Sequence, residues 1–302
     1  MKRLISVILS LVIIASSLTV GAFSAFASTV DENCVKILLV GNSYTYFNGM
    51  PQILSRLCEK TGESAMVVSF TKGGADAKLI LNETLPYQAW YNGDRIEKGS
   101  GNLMENARKD IGNIGRGGSW DYIVLQNNAD ASETGMGDIY ILGLLRGMLE
   151  DNRNFILNSN YWINSLKKDR HNEHLAVCKA TGCSLIDTRG IFAQYHNVFK
   201  NRVWMRDLSI RDSRNHPSVK GAYIFALAIY AKLFGIERLA DSFNCENMIE
   251  LYNSDGGDVS EFLNVAAFPN DYTEPVSIDR TTASGLQFLV RDYAESYIGE
   301  PL

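Results

Sequence analysis

The sequence predicts an α/β fold in which helices cover both faces of a parallel β-sheet. Apolar segments of strand length alternate with segments of helical spacing along most of the chain. The first strand, which begins at Val35, contains an unbroken apolar run at Ile37–Val40, as is typical of a strand buried on both faces. No repeat or long linker interrupts the pattern, so we expect one domain.

The N-terminal segment, residues 1–27, has the features of a secretory signal peptide. A basic start is followed by an apolar stretch at Leu4–Val20, and Ala25–Ala27 fits a small-x-small cleavage site. An uncleaved membrane anchor is the alternative interpretation. After residue 27 no stretch approaches the roughly 20 apolar residues that a membrane-spanning helix needs. We therefore expect residues 28–302 to form a secreted single domain, either released or retained at the cell surface.

The chain that remains after cleavage is acidic. Loss of Lys2 and Arg3 lowers the 29 basic residues to 27, against 34 acidic residues, so the net charge changes from −5 to −7. No long basic run is present in the sequence. Nucleic acid and anionic membrane surfaces are therefore not expected as partners.

The five cysteines do not form the pattern of a disulfide scaffold, because their number is odd and their density is low. Cys178 and Cys183 are close enough in sequence to bridge, and Cys34 could meet Cys58 across the first strand and helix. Free buried thiols are an equally good interpretation for each pair, and Cys245 stands apart from both. No spacing of cysteine and histidine resembles a zinc site, and no metal or other cofactor is expected.

The elements after the first strand continue the alternation. A helix runs from Pro51 to Lys60 and ends before Gly62, because proline is accommodated in a first turn and glycine commonly ends a helix. Further strands are predicted at Ser64–Phe70, Trp120–Leu125, Asn154–Asn158 and Ser184–Asp187. Further helices are predicted at Asp138–Glu150, Asn172–Thr181, between His216 and Gly235, and, after an acidic loop-like stretch, at Arg280–Ile298.

The region Leu79–Gly118 is predicted to be irregular, an excursion of the chain over the mouth of the sheet. It is rich in asparagine and glycine and contains Tyr87, Trp90 and Tyr91. These aromatic rings either stack on sugar rings of a substrate or pin the loop to the body of the domain.

Ser43 is the candidate nucleophile. It follows the first strand in Gly41-Asn42-Ser43, and open α/β sheets place their ligands beyond the carboxyl ends of the strands. A serine hydroxyl needs an adjacent base to take its proton. His216 is the candidate base, and Asp212 is the candidate carboxylate that fixes and stabilises the imidazole.

The other three histidines are weaker candidates for the base. His171 and His174 lie in a charged run and are expected to be in solvent. His196 is the remaining rival.

These two segments resemble the first and last motifs of the SGNH (GDSL-type) hydrolases. Gly41-Asn42-Ser43-Tyr44-Thr45 is similar to the first motif, with Asn42 where many members carry aspartate. The segment 212–218, followed by Gly221-Ala222-Tyr223, is similar to the last motif, which carries the acid and the base. The resemblance spans nearly the whole mature chain. It implies a flavodoxin-like three-layer α/β/α sandwich with a five-stranded parallel sheet, here followed by a C-terminal helical tail.

The acid of the triad departs from the family's pattern. The usual spacing places it three residues before the histidine, where this chain has Ser213, and Asp212 lies one position earlier. Either the loop carries an extra residue or the acid comes from elsewhere. Asp207 is the next candidate, and a backbone carbonyl that orients His216 is a further alternative.

The resemblance also implies three donors for the oxyanion of the tetrahedral intermediate. They are the N–H of Ser43, the N–H of Gly74 with Gly73 as the rival, and the side chain of Asn128 with Asn127 as the rival. The third motif is altered, since Gln126 and Ala129 stand where the family has glycine and aspartate.

Together these features predict a secreted serine esterase that removes an acyl group, with acetyl favoured, from a carbohydrate or related substrate. Asn42, the shifted Asp212 and the altered third motif motivate an alternative, a non-catalytic carbohydrate-binding protein on the same fold. An O-acyltransferase would use the same three residues. The sequence does not define the oligomeric state.

Overall fold

The structure is a computed structural model that describes residues 30–108, 119–126, 134–159, 168–199, 216–235, 237–238 and 280–299. The expected signal peptide, residues 1–27, lies outside the described residues, as does Cys245. No helix within the described ranges is long and apolar enough to span a bilayer.

Seven strands form one sheet in the described part of the chain. They are β1 (Val35–Gly41), β2 (Ala65–Thr71), β3 (Thr84–Tyr91), β4 (Asp94–Asn102), β5 (Tyr122–Leu125), β6 (Phe155–Asn158) and β7 (Ser184–Ile186). Their order across the sheet is β4-β3-β2-β1-β5-β6-β7. The strands from β2 to β7 in this order pair in parallel, whereas β3 and β4 are antiparallel additions at one edge. The mostly parallel α/β sheet is confirmed, and the count of five strands is corrected to seven.

The helices connect these strands. They are α1 (Ser43–Tyr46), α2 (Met50–Lys60), α3 (Ala77–Asn82), α4 (Leu103–Asn106), α5 (Thr134–Leu145), α6 (Lys168–Thr181), α7 (Thr188–Phe199), α8 (Val219–Phe234) and α9 (Arg280–Tyr297). Short 3-10 turns follow α1 at Phe47–Gly49, follow α5 at Arg146–Met148 and precede β6 at Asn152–Asn154. The sequence prediction missed α7 entirely and treated the residues of α1 as a loop.

Two hydrophobic cores lie on opposite faces of the sheet. Alternate residues of β1 divide between them, with Ile37 and Leu39 in one core and Leu38 and Val40 in the other. Helices α2, α7, α8 and α9 complete the first core, and α3, α4, α5 and α6 complete the second. This division explains why the first strand is apolar without interruption, since both of its faces are buried.

The region Leu79–Gly118 is ordered rather than irregular up to residue 108, and 109–118 lie outside the described residues. It forms α3, the β3–β4 hairpin and α4. The hairpin turn is Asn92-Gly93, whose φ angles of 52° and 74° suit the left-handed turn that matches the twist of paired strands.

The aromatic residues of this region lie on strand β3. Trp90 and Tyr91 pair with Val67 and Met66 at the amino end of β2, away from the edge that carries Ser43. The Tyr91 hydroxyl lies 3.1 Å from Ser64 Oγ. These two rings therefore pin the hairpin to the sheet, and the expected aromatic loop over the mouth is wrong for them.

Helix α9 belongs to the core. Leu286, Leu289 and Val290 are buried against α7 and α8. The backbone carbonyl of Tyr297 accepts a 2.7 Å hydrogen bond from the N–H of Asp187, just after β7. The predicted C-terminal helix is confirmed, and it packs against the domain from Leu286 to Ile298.

Candidate active site

Ser43 lies at the carboxyl edge of the sheet, beside the central strand. It is the first residue of α1 and follows β1, which has β2 on one side and β5 on the other. From β1 the chain connects first to one side of the sheet and later to the other, which creates the crevice where open α/β sheets bind ligands. The sequence prediction of Ser43 at the end of a first parallel strand is confirmed.

The turn into α1 depends on Asn42 and Gly41. The Oδ1 atom of Asn42 accepts a 3.0 Å hydrogen bond from the N–H of Tyr44, so Asn42 caps the helix that Ser43 begins. A Cβ atom on Gly41 would lie 2.2 Å from Thr45 Oγ1 and 3.0 Å from the carbonyl oxygen of Gln126. Only glycine fits there without displacing α1.

His216 contacts Ser43 directly, although 173 positions separate them in sequence. Its Nε2 atom lies 2.7 Å from Ser43 Oγ. Both side chains are almost fully buried, with 5% of Ser43 and 3% of His216 exposed. When Nδ1 carries the proton of the neutral imidazole, the Ser43 hydroxyl donates to Nε2, which is the geometry for proton removal from a serine nucleophile.

The start of α8 fixes the backbone that follows His216. Ser218 caps this helix, because its Oγ atom accepts a 3.2 Å hydrogen bond from the N–H of Gly221. Helix α8 is buried on nearly all sides, as its apolar sequence predicts. The backbone of His216 is therefore anchored by the N-terminus of a buried helix.

Several predicted site residues lie outside the described residues. These are Asp212 and its rival Asp207, and Asn128 with Asn127. The side chain of His196 is likewise outside them. Their roles stay predictions.

Gly73 and Gly74 lie next to the turn that carries Ser43. The N–H of Lys72 donates a 3.2 Å hydrogen bond to the carbonyl of Gly41, which extends the pairing of β2 with β1 beyond both strands. A turn follows, closed by a 3.1 Å bond from Ala75 N–H to Lys72, in which Gly74 adopts a φ of 69°. Neither glycine N–H donates to a backbone carbonyl of a described residue. The role of either glycine as an oxyanion donor stays a prediction, and the choice between them stays open.

The sequence analysis missed the polar contact beneath α1. Thr45 Oγ1 donates a 2.5 Å hydrogen bond to Oε1 of Gln126, which is 2% exposed. The Nε2 atom of Gln126 has no hydrogen-bond partner within the described ranges. Gln126 thus ties the end of β5 to α1, the helix that begins at Ser43. The sequence signals were a run of three polar residues after a strand and the departure of Gln126 from the third motif.

His174 is not in solvent as predicted. It is 3% exposed, and its Nε2 atom lies 3.4 Å from Oδ2 of Asp138, which is fully buried. The charged run is amphipathic in the structure, because α6 turns this histidine toward α5. Within the described part of the chain, no group of three or more His, Cys, Asp or Glu side chains could hold a metal ion.

Comparison with known proteins finds likeness in fold. The crystal structure of a DUF4886 family protein from Bacteroides uniformis is similar to this chain, with a TM-score of 0.52, 15% sequence identity, and coverage of 89% of this chain and 98% of that one. The structure of a "putative SGNH hydrolase" from Slackia heliotrinireducens has a TM-score of 0.42 and 17% identity, and covers 70% of this chain and 100% of that one. No protein-family model and no curated protein matches the chain. The first likeness shows the fold alone, so the chemistry has to be inferred from Ser43 and His216.

Proposed function

We propose that this protein is a serine esterase in which Ser43 is the nucleophile and His216 is the general base. The observation that carries the proposal is the 2.7 Å separation of Ser43 Oγ and His216 Nε2 at the carboxyl edge of the sheet. A binding protein would have no need to place an imidazole on a serine hydroxyl. The motifs that resemble the SGNH hydrolases contain these same two residues.

The reaction begins when Ser43 Oγ attacks the ester carbonyl and His216 Nε2 takes the hydroxyl proton. The imidazolium then protonates the departing alcohol, which leaves an acyl-serine. Water, deprotonated by the same imidazole, attacks this intermediate and releases the acid. Asp212 is our candidate for the carboxylate that stabilises the imidazolium, with Asp207 as its rival. This chemistry requires no metal or organic cofactor.

The oxyanion of each tetrahedral intermediate would be held by the N–H of Ser43, the N–H of Gly74 and the side chain of Asn128. Gly73 and Asn127 are the rivals for the second and third positions. The N–H of a first helical residue has no partner within its own helix, which supports the role of Ser43. The turn Lys72–Ala75 begins with a backbone hydrogen bond to Gly41, two residues before Ser43, and this proximity supports Gly74 or Gly73 as the second donor.

We propose a small acyl group, with acetyl favoured. Ser43 is 5% exposed, and the buried rings of Tyr44 and Phe47 lie beside His216, so the described surroundings of the Ser43 hydroxyl are enclosed, which supports a compact acyl group. The carbohydrate part of the proposal rests on the expected secretion and on the SGNH resemblance, because Trp90 and Tyr91 lie away from the site.

The test is hydrolysis of p-nitrophenyl acetate by the mature protein beside two serine variants. Ser43→Ala should lose at least about 10³-fold in kcat, because the covalent route is removed. Ser64→Ala is the matched control, since Ser64 precedes β2 at the opposite edge of the sheet, and it should match the wild type. Wild-type turnover in Ser43→Ala, or no turnover by the wild type on acetyl and longer acyl esters, would contradict the proposal.

A further inference from the structure

The segment that carries Ser43 also holds His216 through two residues that the proposed chemistry does not use. The ring of Phe47 stacks on the imidazole of His216, with ring centroids 4.4 Å apart and planes 8° apart. Asn48 Nδ2 donates a 2.6 Å hydrogen bond to the backbone carbonyl of Pro217. Phe47 and Asn48 are each 3% exposed.

These two contacts restrict different motions of the histidine. A parallel ring stack limits rotation of the imidazole out of its plane, since tilting would force the two rings together. The bond to Pro217 limits displacement of the backbone next to His216, and the proline ring stiffens that backbone further. Both contacts come from the turn that follows Ser43. The short buried segment Ser43–Asn48 therefore both carries Ser43 Oγ and fixes the position of His216 Nε2.

The backbone of Asn48 supports this interpretation. Its φ of 53° and ψ of 33° place it in the left-handed region, which side-chain-bearing residues seldom adopt. Asparagine tolerates this conformation better than most residues. The conformation turns the chain between Phe47 and α2 while the Asn48 amide reaches Pro217, 169 positions away. Uncommon backbone conformations of this kind cluster at functional sites.

We propose that Phe47 and Asn48 are positioning residues for His216, which hold its Nε2 atom on Ser43 Oγ before a substrate arrives. The effect on turnover rests on the proposed function. The orientation of the imidazole is a property of the folded protein and can be measured without turnover.

Three variants separate the two contacts. Asn48→Asp keeps the shape and the tolerance of left-handed backbone but replaces the donor with an acceptor that faces the Pro217 carbonyl. Asn48→Gly keeps the backbone conformation and removes the amide. Phe47→Leu removes the ring while remaining apolar. The matched control is Asn92→Asp, because Asn92 is also left-handed, with a φ of 52°, and lies in the hairpin turn beside the amino end of β2.

The first measurement is the steady-state kinetics of p-nitrophenyl acetate hydrolysis. We expect kcat to fall about tenfold or more in Asn48→Asp and Phe47→Leu with KM changed little, because misplacement of a base affects the transition state rather than binding. Asn48→Gly should fall between these variants and the wild type. Asn92→Asp should match the wild type.

The second measurement is the NMR spectrum of the His216 ring protons. In the wild type the stacked ring of Phe47 should shift them upfield, and Phe47→Leu should reduce that shift to the part caused by the more distant ring of Tyr44. In Asn48→Asp we expect partial averaging toward the values of a free histidine. Loss of dispersed signals elsewhere would identify a variant that has failed to fold, and Asn48→Gly then supplies the comparison.

The outcomes are distinct. Wild-type kcat and unchanged ring shifts in Asn48→Asp and Phe47→Leu would overturn the positioning role even in an active enzyme. Ring shifts that change as expected in a protein without Ser43-dependent turnover would support the positioning role and defeat the proposed esterase.

A separate inference concerns the thiols of Cys178 and Cys183. Cys178 lies in the last turn of α6, and Cys183 follows Gly182 just before β7. Their Sγ atoms are 3.4 Å apart, and Thr181 Oγ1 donates to Cys183 Sγ at 3.2 Å. Both cysteines are free, and Cys178 is partly exposed. The hydrogen bond between the thiols raises the pKa of Cys178 and lowers the pKa of Cys183, so Cys183 is the better thiolate.

We infer that Cys178 and Cys183 form a dithiol site that a small disulfide, such as glutathione disulfide, oxidises. One thiolate attacks the small disulfide and releases one thiol, which leaves a mixed disulfide. The second cysteine attacks that mixed disulfide and releases the second thiol. The protein loses two hydrogens, the small disulfide gains them, and the end of α6 is bonded to the start of β7.

Cys34 and Cys58 are the internal comparison. They belong to the cores on opposite faces of the sheet, so they cannot meet as the sequence allowed. Burial raises the pKa of Cys34 to about 11 and raises the pKa of Cys58 as well. We expect both to stay reduced.

The test is intact-protein and peptide mass spectrometry of the folded full chain after incubation with glutathione disulfide. We expect a loss of about two mass units from a disulfide-linked Cys178–Cys183 peptide with no retained glutathione. Cys178→Ser, which removes the second cysteine and keeps the better thiolate, should instead retain one glutathione on Cys183. Recovery of both Cys178 and Cys183 as alkylatable thiols would overturn the inference.

Discussion

Gly41 is the residue at which the chain leaves β1 and turns into the helix that carries Ser43. A Cβ there would meet Thr45 Oγ1, which belongs to α1, and the carbonyl of Gln126, which follows β5. The space between Gly41, α1 and the end of β5 therefore has no room for an added methyl group. An added methyl group at Gly41 should displace α1 and with it Ser43.

Gly41→Ala should lower the free energy of unfolding by about 1–3 kcal/mol, the usual cost of overpacking, and should reduce esterase turnover. Gly143→Ala is the control, since Gly143 lies within α5 with open space around it, and it should raise stability by about 0.5–1 kcal/mol. Chemical denaturation measures both changes. Equal stability of Gly41→Ala and the wild type would contradict the packing described here.

At this scale the sequence predicted the contact between Ser43 and His216 better than it predicted the residues around them. Ser43 and His216 carry motif signals, and the structure brings them within hydrogen-bond distance. Phe47 and Asn48 carry none, because their contacts with His216 and Pro217 exist only after residues from two distant segments meet. Gln126 was noticed as a departure from a motif, and its bond to Thr45 became visible only in three dimensions.

The β3–β4 hairpin, like α7, is a part of the fold that the sequence analysis failed to predict. Polar residues on both strands hid the alternation that marks a strand, and Asn92-Gly93 was read as loop rather than as a two-residue turn. Tyr87 of β3 links the hairpin to β2 and links its two strands to each other. Tyr87 stacks on Phe70 at 5.1 Å, and its hydroxyl donates a 2.6 Å hydrogen bond to Glu97.

This hydrogen bond, with some burial, raises the pKa of Tyr87 to about 12. The folded state keeps the Tyr87 proton to higher pH than the unfolded state, whose tyrosine titrates near its ordinary value of about 10. The stabilisation by this group is therefore full below about pH 10 and is lost as the pH rises toward about 12.

The expected result is that Tyr87 contributes little tyrosinate absorbance at about pH 11, where an ordinary tyrosine is mostly ionised. The wild type and Tyr87→Phe should therefore have nearly equal tyrosinate absorbance at that pH while both remain folded. A full tyrosinate difference between them would show that the bond to Glu97 does not hold the proton.

The whole molecule is organised by the two cores on either side of the sheet. The sequence predicted this arrangement because strand and helix patterns alternate and β1 is apolar throughout. It did not predict that α9, the last helix, closes one of the cores, since nothing in its local pattern shows which face it covers. Helix α9 contributes Leu289 at 1% exposure, whereas its neighbour Phe288 is 51% exposed.

Leu289→Ala should lower the free energy of unfolding by about 2–5 kcal/mol, because it leaves a cavity between α9 and the rest of the core. Phe288→Ala should change it by no more than about 0.5 kcal/mol, as for most exposed positions. Thermal or urea unfolding of the two variants gives the comparison. Similar effects from both would show that α9 is not part of the core.

The most direct test of the central claim, that His216 activates Ser43 as a nucleophile, is covalent labelling with a fluorophosphonate followed by peptide mass mapping. The reagent forms a stable bond with an activated serine and releases fluoride. The account predicts one label per chain, on the peptide that contains Ser43, and its near-complete loss in His216→Ala. Label on another serine, no label, or equal labelling of Ser43 in His216→Ala would contradict it.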